Sequence, residues 1–231
     1  LEKNDINLSY KSDNSPVTEA DKKASNFICG ELQKNYPDIP IICEETEQIN
    51  YNDRKNFEYF WLVDPLDGTK EFLKKNGEFT INIGLIKGTK SILGVVSVPC
   101  QNKIYYASKN KGAYVRLNNT TMEIKCRKIN HDNPTIICSR SHLNKETSEY
   151  LKKYSKHEIS SAGSSLKFMM IAEGNADIYP RLNGSMEWDT AASHIITEES
   201  GATISTYPDN APLSYNKESL LNPYFIVYGK E

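Results

Sequence analysis

The stretch of sequence that decides the fold is Phe60-Trp61-Leu62-Val63-Asp64-Pro65-Leu66-Asp67-Gly68-Thr69. Its first four residues are apolar or aromatic, and they predict a buried strand that ends at the first carboxylate. Asp64 and Asp67 are three residues apart, and the proline between them fixes one φ angle, so both carboxylates and the Leu66 carbonyl can face one ion. Hard oxygen ligands of this kind favour Mg²⁺ or Mn²⁺. An Asp-Pro turn with a second bend at the following glycine explains the same spacing equally well.

Two further acidic segments can reach the same place. Glu44-Glu45 ends a strand predicted over residues 39–43, and Glu187-Trp188-Asp189 opens a helix far along the chain. Like charges about 4 Å apart repel by about 4 kcal/mol at an effective dielectric of about 20, so a convergent cluster needs a cation. Each segment alone has an ordinary explanation, either a solvated glutamate pair or an aspartate that complements a helix dipole.

A similar choice arises at Ser15-Pro16-Val17-Thr18-Glu19-Ala20-Asp21, which leads into an amphipathic helix predicted from Glu19 to Tyr36. Thr18 and Asp21 have the spacing of a capping box, which explains both residues without any catalysis. The apolar residues that fall on one face of the predicted helix are Ala20, Ala24, Phe27, Ile28 and Leu32.

The chain changes its pattern near residue 128. Before it, a strand over 59–63 is followed by an antiparallel meander over 79–86, 91–98, 103–107 and 112–117, with turn signals between the runs. After it, strands over 135–138, 177–179 and 225–228 alternate with helices over 145–157, 165–173 and 187–200. Interleaved strands and helices are typical of an α/β unit. We therefore predict an α+β half over 1–128 and an α/β half over 129–231, with the site in the cleft between them.

Composition narrows the classes of function. The chain has 231 residues, a formal net charge of −2 and a pI of about 6.2, so no surface is selected to neutralise a nucleic-acid backbone. Five scattered cysteines without a C-x-x-C pair argue against a disulfide framework or a zinc site, and four dispersed histidines form no zinc-hydrolase motif. No apolar run approaches the ~20 residues that span a bilayer, and no signal-peptide pattern opens the chain. We expect a soluble protein of a reducing cytoplasm, with a segment preceding Leu1.

The acidic segments occur in the order and spacing typical of a known superfamily. The whole set, including Trp61 to Phe72 and Glu187-Trp188-Asp189-Thr190-Ala191-Ala192, resembles the inositol monophosphatase superfamily over nearly the whole chain. Gly68-Thr69-Lys70-Glu71-Phe72 is similar to the CysQ-type 3'(2'),5'-bisphosphate nucleotidases, whereas inositol monophosphatases typically have Thr-Asn after Gly-Thr. Ser139-Arg140-Ser141-His142 and Gly163-Ser164-Ser165-Leu166-Lys167 resemble the same branch.

The resemblance implies a layered αβαβα sandwich of the inositol monophosphatase (sugar phosphatase) type. It implies two or three Mg²⁺ ions, with Mn²⁺ as an alternative, and the implied ligands are Glu44, Asp64, Asp67, Asp189 and the Leu66 carbonyl. Asp21 and Thr69 would orient and activate the attacking water. The amides of Gly68 and Thr69, at the start of a short helix, would hold phosphate oxygens. Sensitivity to lithium is expected with the family.

Further substrate contacts follow from the same resemblance. Ser164, Lys167 and Arg181 would hold the second phosphate of a nucleotide, and His142 would contact the substrate. The alternatives are a solvated lysine and arginine and a surface histidine. Lys167 is predicted to face away from an apolar helix stripe formed by Leu166, Met169 and Met170.

We therefore predict an enzyme of sulfur metabolism that hydrolyses the 3'-phosphate of adenosine 3',5'-bisphosphate to AMP and phosphate. The alternatives are an inositol-monophosphate or sugar-phosphate phosphatase with the same metal site, and a catalytically silent module that binds phosphate ligands. The expected partner is a small nucleotide bisphosphate, with no nucleic acid and no integral membrane segment. A monomer or a homodimer is expected, in the cytoplasm or peripheral at the inner membrane.

Overall fold

The computed structural model describes residues 8–10, 16–139 and 144–231. The strands of the first half, in chain order, are β1 (Leu8–Tyr10), β2 (Pro16–Thr18), β3 (Ile41–Cys43), β4 (Tyr59–Asp67), β5 (Thr80–Lys87), β6 (Lys90–Val98), β7 (Lys103–Ser108), β8 (Ala113–Leu117) and β9 (Thr120–Ile124). The helices of this half are α1 (Glu19–Asn35), α2 (Tyr51–Arg54) and α3 (Thr69–Leu73), and one 3₁₀ turn covers Pro99–Gln101.

The first half is built on a seven-stranded sheet in the order β3-β4-β5-β6-β7-β8-β9. Only the β3–β4 pair of this sheet is parallel, and the other neighbours are antiparallel. The predicted meander corresponds to β5 to β8, and the sequence did not predict β9, which extends it. The apolar residues of β4 from Phe60 to Val63 are buried, as expected for a central strand covered on both faces. β3 and β4 run in the same direction, so their carboxyl ends lie at one edge of the sheet.

The second half alternates strands and helices, as predicted. Its elements are β10 (Thr135–Ser139), α4 (Lys145–Leu151), β11 (Glu158–Ala162), α5 (Leu166–Ala172), β12 (Ile178–Arg181), α6 (Glu187–Glu199), β13 (Thr203–Thr206) and β14 (Phe225–Tyr228). They form a five-stranded sheet in the order β11-β10-β12-β14-β13, in which the β10–β11 and β10–β12 pairs are parallel and the rest antiparallel.

The layers alternate in the predicted αβαβα order. Helix α1 covers one face of the seven-stranded sheet through a cluster around Cys43, Trp61 and Val63. The other face packs on α6 and α5, whose far side meets the five-stranded sheet, and α4 covers the outside of that sheet. The core between the sheets includes Val96 and Tyr105 from the first half and Ile137 and Phe168 from the second. The division at residue 128 into two halves stays a prediction.

Helix α6 lies unusually close to the seven-stranded sheet. A Cβ atom on Gly84 would stand 2.7 Å from the Ala191 Cβ, and one on Gly94 would overlap the Ala192 backbone. The Ser91 hydroxyl also donates to the Ala191 carbonyl at 2.7 Å. These contacts fix the first two turns of α6 against β5 and β6, because a larger side chain at either glycine would force the helix away.

Some predicted elements differ from those found. The helix predicted over 145–157 ends at Leu151, since the chain must turn to supply β11, which the sequence pattern did not reveal. Helix α1 is present, but Phe27 is 71% exposed, so its assignment to the buried face is wrong. The buried face of α1 instead carries Asp21 and Ser25, with Ile28 and Leu32 partly buried.

Among the described residues, no helix is both long enough and apolar enough to cross a bilayer.

Candidate active site

The end of β4 places two carboxylates at the edge of the sheet. Asp64 pairs with Asn82 of β5 and Asp67 pairs with Thr80, so β4 carries an extra residue between these two positions. This bulge re-aims the strand where Pro65 removes a backbone donor. The Leu66 amide donates to Asp64 Oδ1 at 3.0 Å, which holds the Asp64 side chain across the bulge.

Three carboxylates converge at this edge. Glu44 follows β3, Asp64 lies on β4 and Asp189 lies in the first turn of α6, and each offers an oxygen within 4.8 Å of the others. The Glu44 amide donates to the Val63 carbonyl at 3.1 Å, which ties its backbone to β4. These residues span 145 positions of the chain, so only packing brings them together.

The pKa values of two carboxyl groups in this cluster are raised. Burial raises the pKa of Asp64 well above its ordinary value, and the neighbouring charges of Asp67, Glu44 and Asp189 raise it further. Burial, followed by the charge of Asp67, raises the pKa of Asp189 to about 7. The charges of the three carboxylates therefore oppose one another in the absence of a cation.

Asp67 is oriented differently from the three. Its Oδ2 accepts hydrogen bonds from the Ser164 hydroxyl at 2.6 Å, the Ser165 amide at 2.8 Å and the Ser165 hydroxyl at 3.0 Å. Thr80 and Asn82 lie 3.5 Å from the same oxygen. Asp67 thus joins the first half of the chain to the start of α5, and it lies outside the group of three mutually close oxygens.

Asp189 is held by the end of its own helix. Its Oδ2 accepts from the Met186 amide at 2.8 Å, which satisfies one of the free amides at the N-terminus of α6. The aspartate is therefore both a helix cap and a member of the carboxylate cluster, so the two interpretations offered by the sequence are compatible.

Asp21 and Thr69 also combine a cap with a long-range contact. The capping box of α1 is present, and Asp21 Oδ2 accepts from both the amide and the hydroxyl of Thr18. Asp21 Oδ1 accepts from the Thr69 hydroxyl at 3.3 Å, across 48 positions of sequence. The cap fixes Asp21, which is 2% exposed, and leaves its second oxygen for Thr69.

A cavity of about 280 Å³ lies beside the carboxylates. Asp67, Gly68 and Asp189 line it together with Ser164, Lys167 and Arg181. We call the carboxylates the acidic end of the site, and Lys167 and Arg181 its basic end. Gly68 has φ +93°, a left-handed conformation that begins the short helix α3 at Thr69. The same cavity therefore contains acidic and basic side chains from both halves of the chain.

Lys167 is buried, which rules out the alternative of a solvated lysine. It is 5% exposed, and its ammonium donates to the Ser164 carbonyl at 2.8 Å and the Ala162 carbonyl at 3.3 Å. Burial, with help from the charge of Arg181, lowers the pKa of Lys167 to about 8. Two carbonyls leave one N–H of the ammonium for a ligand.

Arg181 is only partly exposed, and its guanidinium has more N–H donors than the one that binds Gly184. One of its terminal nitrogens donates to the Gly184 carbonyl at 2.8 Å, which places the guanidinium at the cavity wall. Arg181 also acts on the acidic end, since its charge lowers the pKa of Asp189 against the effect of burial. His142 lies outside the described residues.

Sequence reasoning missed the residues that hold Asp67. Ser165, Thr80 and Asn82 have no motif of their own, although Ser165 stands in the segment Gly163-Ser164-Ser165 that carried the resemblance. It also missed Glu78, whose Oε2 accepts from the Gly163 amide at 3.0 Å and orients the turn before α5. These contacts of Ser165 and Glu78 join segments at least 80 residues apart, so no local pattern could have identified them. The contacts of Thr80 and Asn82 are closer in sequence, but these residues belong to no motif.

The donor set fits a hard divalent cation. Three carboxylate oxygens lie close together at a partly buried edge, and their mutual repulsion is the property that a divalent ion relieves. The chemistry is oxygen only, since no cysteine or histidine among the described residues joins the group. Oxygen-only sites of this size favour Mg²⁺ over zinc.

Comparisons with known proteins agree with this picture. The chain is 44% identical to the 3'(2'),5'-bisphosphate nucleotidase CysQ of Escherichia coli K12, over 94% of this chain and 87% of that protein. The crystal structure of CysQ from Bacteroides thetaiotaomicron superposes with a TM-score of 0.86 at 40% identity, covering 96% of this chain and 87% of the other.

A more distant structure shares the fold. An inositol monophosphatase/NADP phosphatase, solved in complex with Mg²⁺ and phosphate, has a TM-score of 0.79 at 22% identity, covering 98% of this chain and 82% of the other. A model of the inositol monophosphatase family matches residues 1–225. The layered fold, the converging carboxylates and these similarities together show that the chain belongs to the inositol monophosphatase family.

Proposed function

We propose that this protein is a Mg²⁺-dependent 3'(2'),5'-bisphosphate nucleotidase that hydrolyses the 3'-phosphate of adenosine 3',5'-bisphosphate to AMP and phosphate. The observation that carries the proposal is that Lys167 and Arg181 line the same cavity as Asp189, which belongs to the carboxylate cluster. A bisphosphate presents two anionic groups, and a monophosphate would leave the basic end without a ligand. The similarity to CysQ proteins at 44% identity supports the same activity.

The family is metal-dependent, and we propose that Glu44, Asp64, Asp67, Asp189 and the Leu66 carbonyl hold the ions. Asp67 enters this set because its charge acts on Asp64 and Asp189, and because Ser164 and Ser165 bind its Oδ2 and not its Oδ1. When bound, Mg²⁺ would offset the charge of the carboxylates and lower the pKa of water at the site, which would supply a nucleophile near neutral pH. Two or three ions, or Mn²⁺ in their place, are compatible with this ligand set.

Thr69 and Asp21 would prepare the attacking water. The Thr69 hydroxyl donates to Asp21 Oδ1, so the lone pairs of Thr69 are free to accept a proton from water. Asp21 keeps its orientation because Thr18 holds its other oxygen. The pair therefore fixes one hydrogen-bond direction and a route for the proton from the water through Thr69 to Asp21.

The basic end would bind the phosphate that is not cleaved. Arg181 can make a two-pronged contact with phosphate, and the buried ammonium of Lys167 adds a compact charge. Ser164, whose φ is +51°, turns its hydroxyl to Asp67 and its carbonyl to Lys167, so it links the two ends of the site. The amides of Gly68 and Thr69 would contact the oxygens of the scissile phosphate.

The test is a comparison of substrates with Mg²⁺ present. We expect kcat/KM to be higher for adenosine 3',5'-bisphosphate than for inositol 1-phosphate. A preference for inositol 1-phosphate would assign the chain to the inositol-monophosphatase alternative. Phosphate binding without turnover of either substrate would indicate a silent binding module.

We also propose a location and a partner for the enzyme. Its five cysteines are all free thiols, which supports a location in a reducing cytoplasm. The partner we propose is the small nucleotide substrate, and the oligomeric state is proposed to be a monomer or a homodimer.

A further inference from the structure

A hydrogen-bonded chain, buried except for Glu198, leads from the C-terminal end of α6 to the active-site cavity. Glu198 Oε1 lies 3.2 Å from His194 Nε2, and His194 Nδ1 lies 2.8 Å from the Tyr215 hydroxyl. Tyr215 in turn donates to Thr190 Oγ1 at 3.4 Å, and Thr190 lines the cavity next to Asp189. Thr190, His194 and Tyr215 are between 1% and 6% exposed. The mechanism described above uses none of the four.

The outer end of this chain has access to protons. His194 and Glu198 line a second cavity of about 350 Å³, whose rim carries the exposed Lys90 and Lys109. The contact with His194, and the charges of both lysines, lower the pKa of Glu198, so it is a carboxylate at neutral pH. Glu199 also borders this cavity, but the backbone amides of residues 110, 111 and 112 bind its carboxylate. The titratable groups that contact His194 directly are Glu198 and Tyr215.

The protonation state of His194 determines the direction of the chain. Tyr215 has one hydroxyl proton, and burial raises its pKa, so it remains a phenol. When both ring nitrogens of His194 carry protons, Nε2 donates to Glu198 and Nδ1 donates to Tyr215, which leaves the Tyr215 proton for Thr190. When the ring is neutral, Glu198 keeps the proton on Nε2, and Nδ1 must accept the Tyr215 proton instead.

Reversal at Tyr215 changes the bonds of Thr190. In the charged state Thr190 Oγ1 accepts from Tyr215 and from Asn222 at 3.1 Å, and it donates to the Glu187 carbonyl at 3.2 Å. In the neutral state the lone pair of Tyr215 faces Thr190 Oγ1 at 3.4 Å and attracts the Thr190 proton away from the Glu187 carbonyl. Glu187, Asp189 and Thr190 all lie in the first turn of α6.

We propose that His194 is a positioning residue whose protonation, transmitted through Tyr215, sets the orientation of the Thr190 hydroxyl beside Asp189. The protonated state keeps the Thr190 hydroxyl on the Glu187 carbonyl, and neutralisation turns it toward Tyr215. This inference rests on the proposed function only for its kinetic consequence. The hydrogen-bond reversal itself is independent of the substrate.

The decisive measurement is an NMR titration of the Mg²⁺-loaded protein labelled with ¹⁵N-histidine and ¹³C-methyl threonine. Histidine changes charge between about pH 5 and 8, so the titration covers that range. We expect the His194 ring to lose its Nδ1 proton and keep Nε2–H, and the Thr190 methyl signal to move with the same midpoint. A ring that keeps one protonation state, or a Thr190 signal that does not follow it, would overturn the proposal.

A variant then tests the transmission. In Tyr215→Phe, the Thr190 signal should no longer follow the His194 ring. The matched control is Tyr150→Phe, which removes a buried hydroxyl bonded to Tyr154 and Tyr228 on the far side of the five-stranded sheet. That control should preserve the coupling. If Tyr215→Phe does not fold, the titration of the wild-type protein still tests whether the Thr190 signal follows the His194 ring.

The kinetic readout is the pH profile of kcat/KM for adenosine 3',5'-bisphosphate. We expect a fall of about two- to tenfold as His194 loses its proton, the size of one hydrogen bond, and no such step in Tyr215→Phe. A step that persists in Tyr215→Phe would overturn the role of His194. Absence of hydrolysis in all variants, with the NMR coupling intact, would contradict the proposed nucleotidase activity and not the hydrogen-bond reversal.

Discussion

The acidic end and the basic end of the candidate active site are opposite in charge and come from different parts of the chain. The acidic end collects Glu44, Asp64 and Asp189 from two strand ends and a helix start. The basic end takes Lys167 from the middle of α5 and Arg181 from the end of β12. Burial, and then the charge of Asp67, raises the pKa of Asp189 to about 7, and burial beside Arg181 lowers the pKa of Lys167 to about 8.

Each end is therefore costly without a ligand of opposite sign. Hydrolysis and substrate choice can therefore be altered separately in this molecule, because a cation would bind the acidic end and a phosphate the basic end. Ser164 is the structural link, since it contacts both Asp67 and Lys167. Substitutions at the acidic end should remove activity on every phosphate ester, whereas those at the basic end should discriminate between substrates.

The largest effect is expected at the acidic end. Asp64→Asn should abolish hydrolysis of both adenosine 3',5'-bisphosphate and inositol 1-phosphate, because Mg²⁺ loses a ligand. The fold should remain intact, since the amide oxygen can still accept from Leu66. Initial rates with Mg²⁺, with EDTA and with added Li⁺ check this, and full turnover in EDTA would contradict the metal mechanism. Lithium-insensitive turnover would count against a family-like site.

The next effect separates catalysis from metal binding. Thr69→Ala or Asp21→Asn should lower kcat by about 10²–10⁴-fold, the range for general acid–base groups, while Mg²⁺ affinity changes little. Thr69→Ser is the matched control, since it keeps the hydroxyl that donates to Asp21. If the variants turn over normally but unfold at a lower temperature, these residues only cap helices.

A smaller and selective effect is expected at the basic end. Lys167→Ala and Arg181→Ala should each cost about 1.5–3 kcal/mol in kcat/KM for adenosine 3',5'-bisphosphate, the range for a hydrogen bond to a charged group. Hydrolysis of inositol 1-phosphate should change much less, because it has no second phosphate. Equal losses on the two substrates would remove the distinction between the ends of the site.

The basic end should also give a pH dependence. Lys167 carries its charge below a pKa of about 8, so kcat/KM for the bisphosphate should fall as pH rises through that value. Lys167→Arg should move the fall to higher pH, because a guanidinium stays protonated. The profile for inositol 1-phosphate serves as the control, and an identical fall there would assign the step to another group.

The smallest effect concerns the stability of the metal-free protein. The folded-state pKa of Asp189 is raised from 3.8 to about 7, so its contribution to stability is present below pH 3.8 and lost as pH rises through about 7. Asp189→Asn should therefore stabilise the metal-free protein at pH 8 by about 1–3 kcal/mol, and by much less below pH 4. Thermal unfolding in EDTA measures this difference, and a variant that is less stable at both pH values would contradict it.

Much of the fold could be predicted from the sequence. The apolar run before Asp64, the meander with its turn signals and the alternation after residue 130 all correspond to elements of the structure. The strand β11 was not predicted, because a short strand has little periodicity. The exposure of Phe27 was not predicted, because a helical pattern shows which residues share a face but not which neighbouring element covers that face.

In the candidate site, the features that the sequence predicts are easier to separate from those that it does not. Local spacing in the sequence determined the capping box of Thr18 and Asp21, the paired carboxylates of Asp64 and Asp67, and the helix start at Glu187, since these features depend on neighbours within a few residues. Only the tertiary structure decided that Thr69 reaches Asp21, that Asp67 turns to Ser165, and that Lys167 is buried. The physical reason is packing. Close contact of α6 with β5 and β6 at two glycines brings Asp189 to Glu44 and Asp64, and no local preference contains that distance.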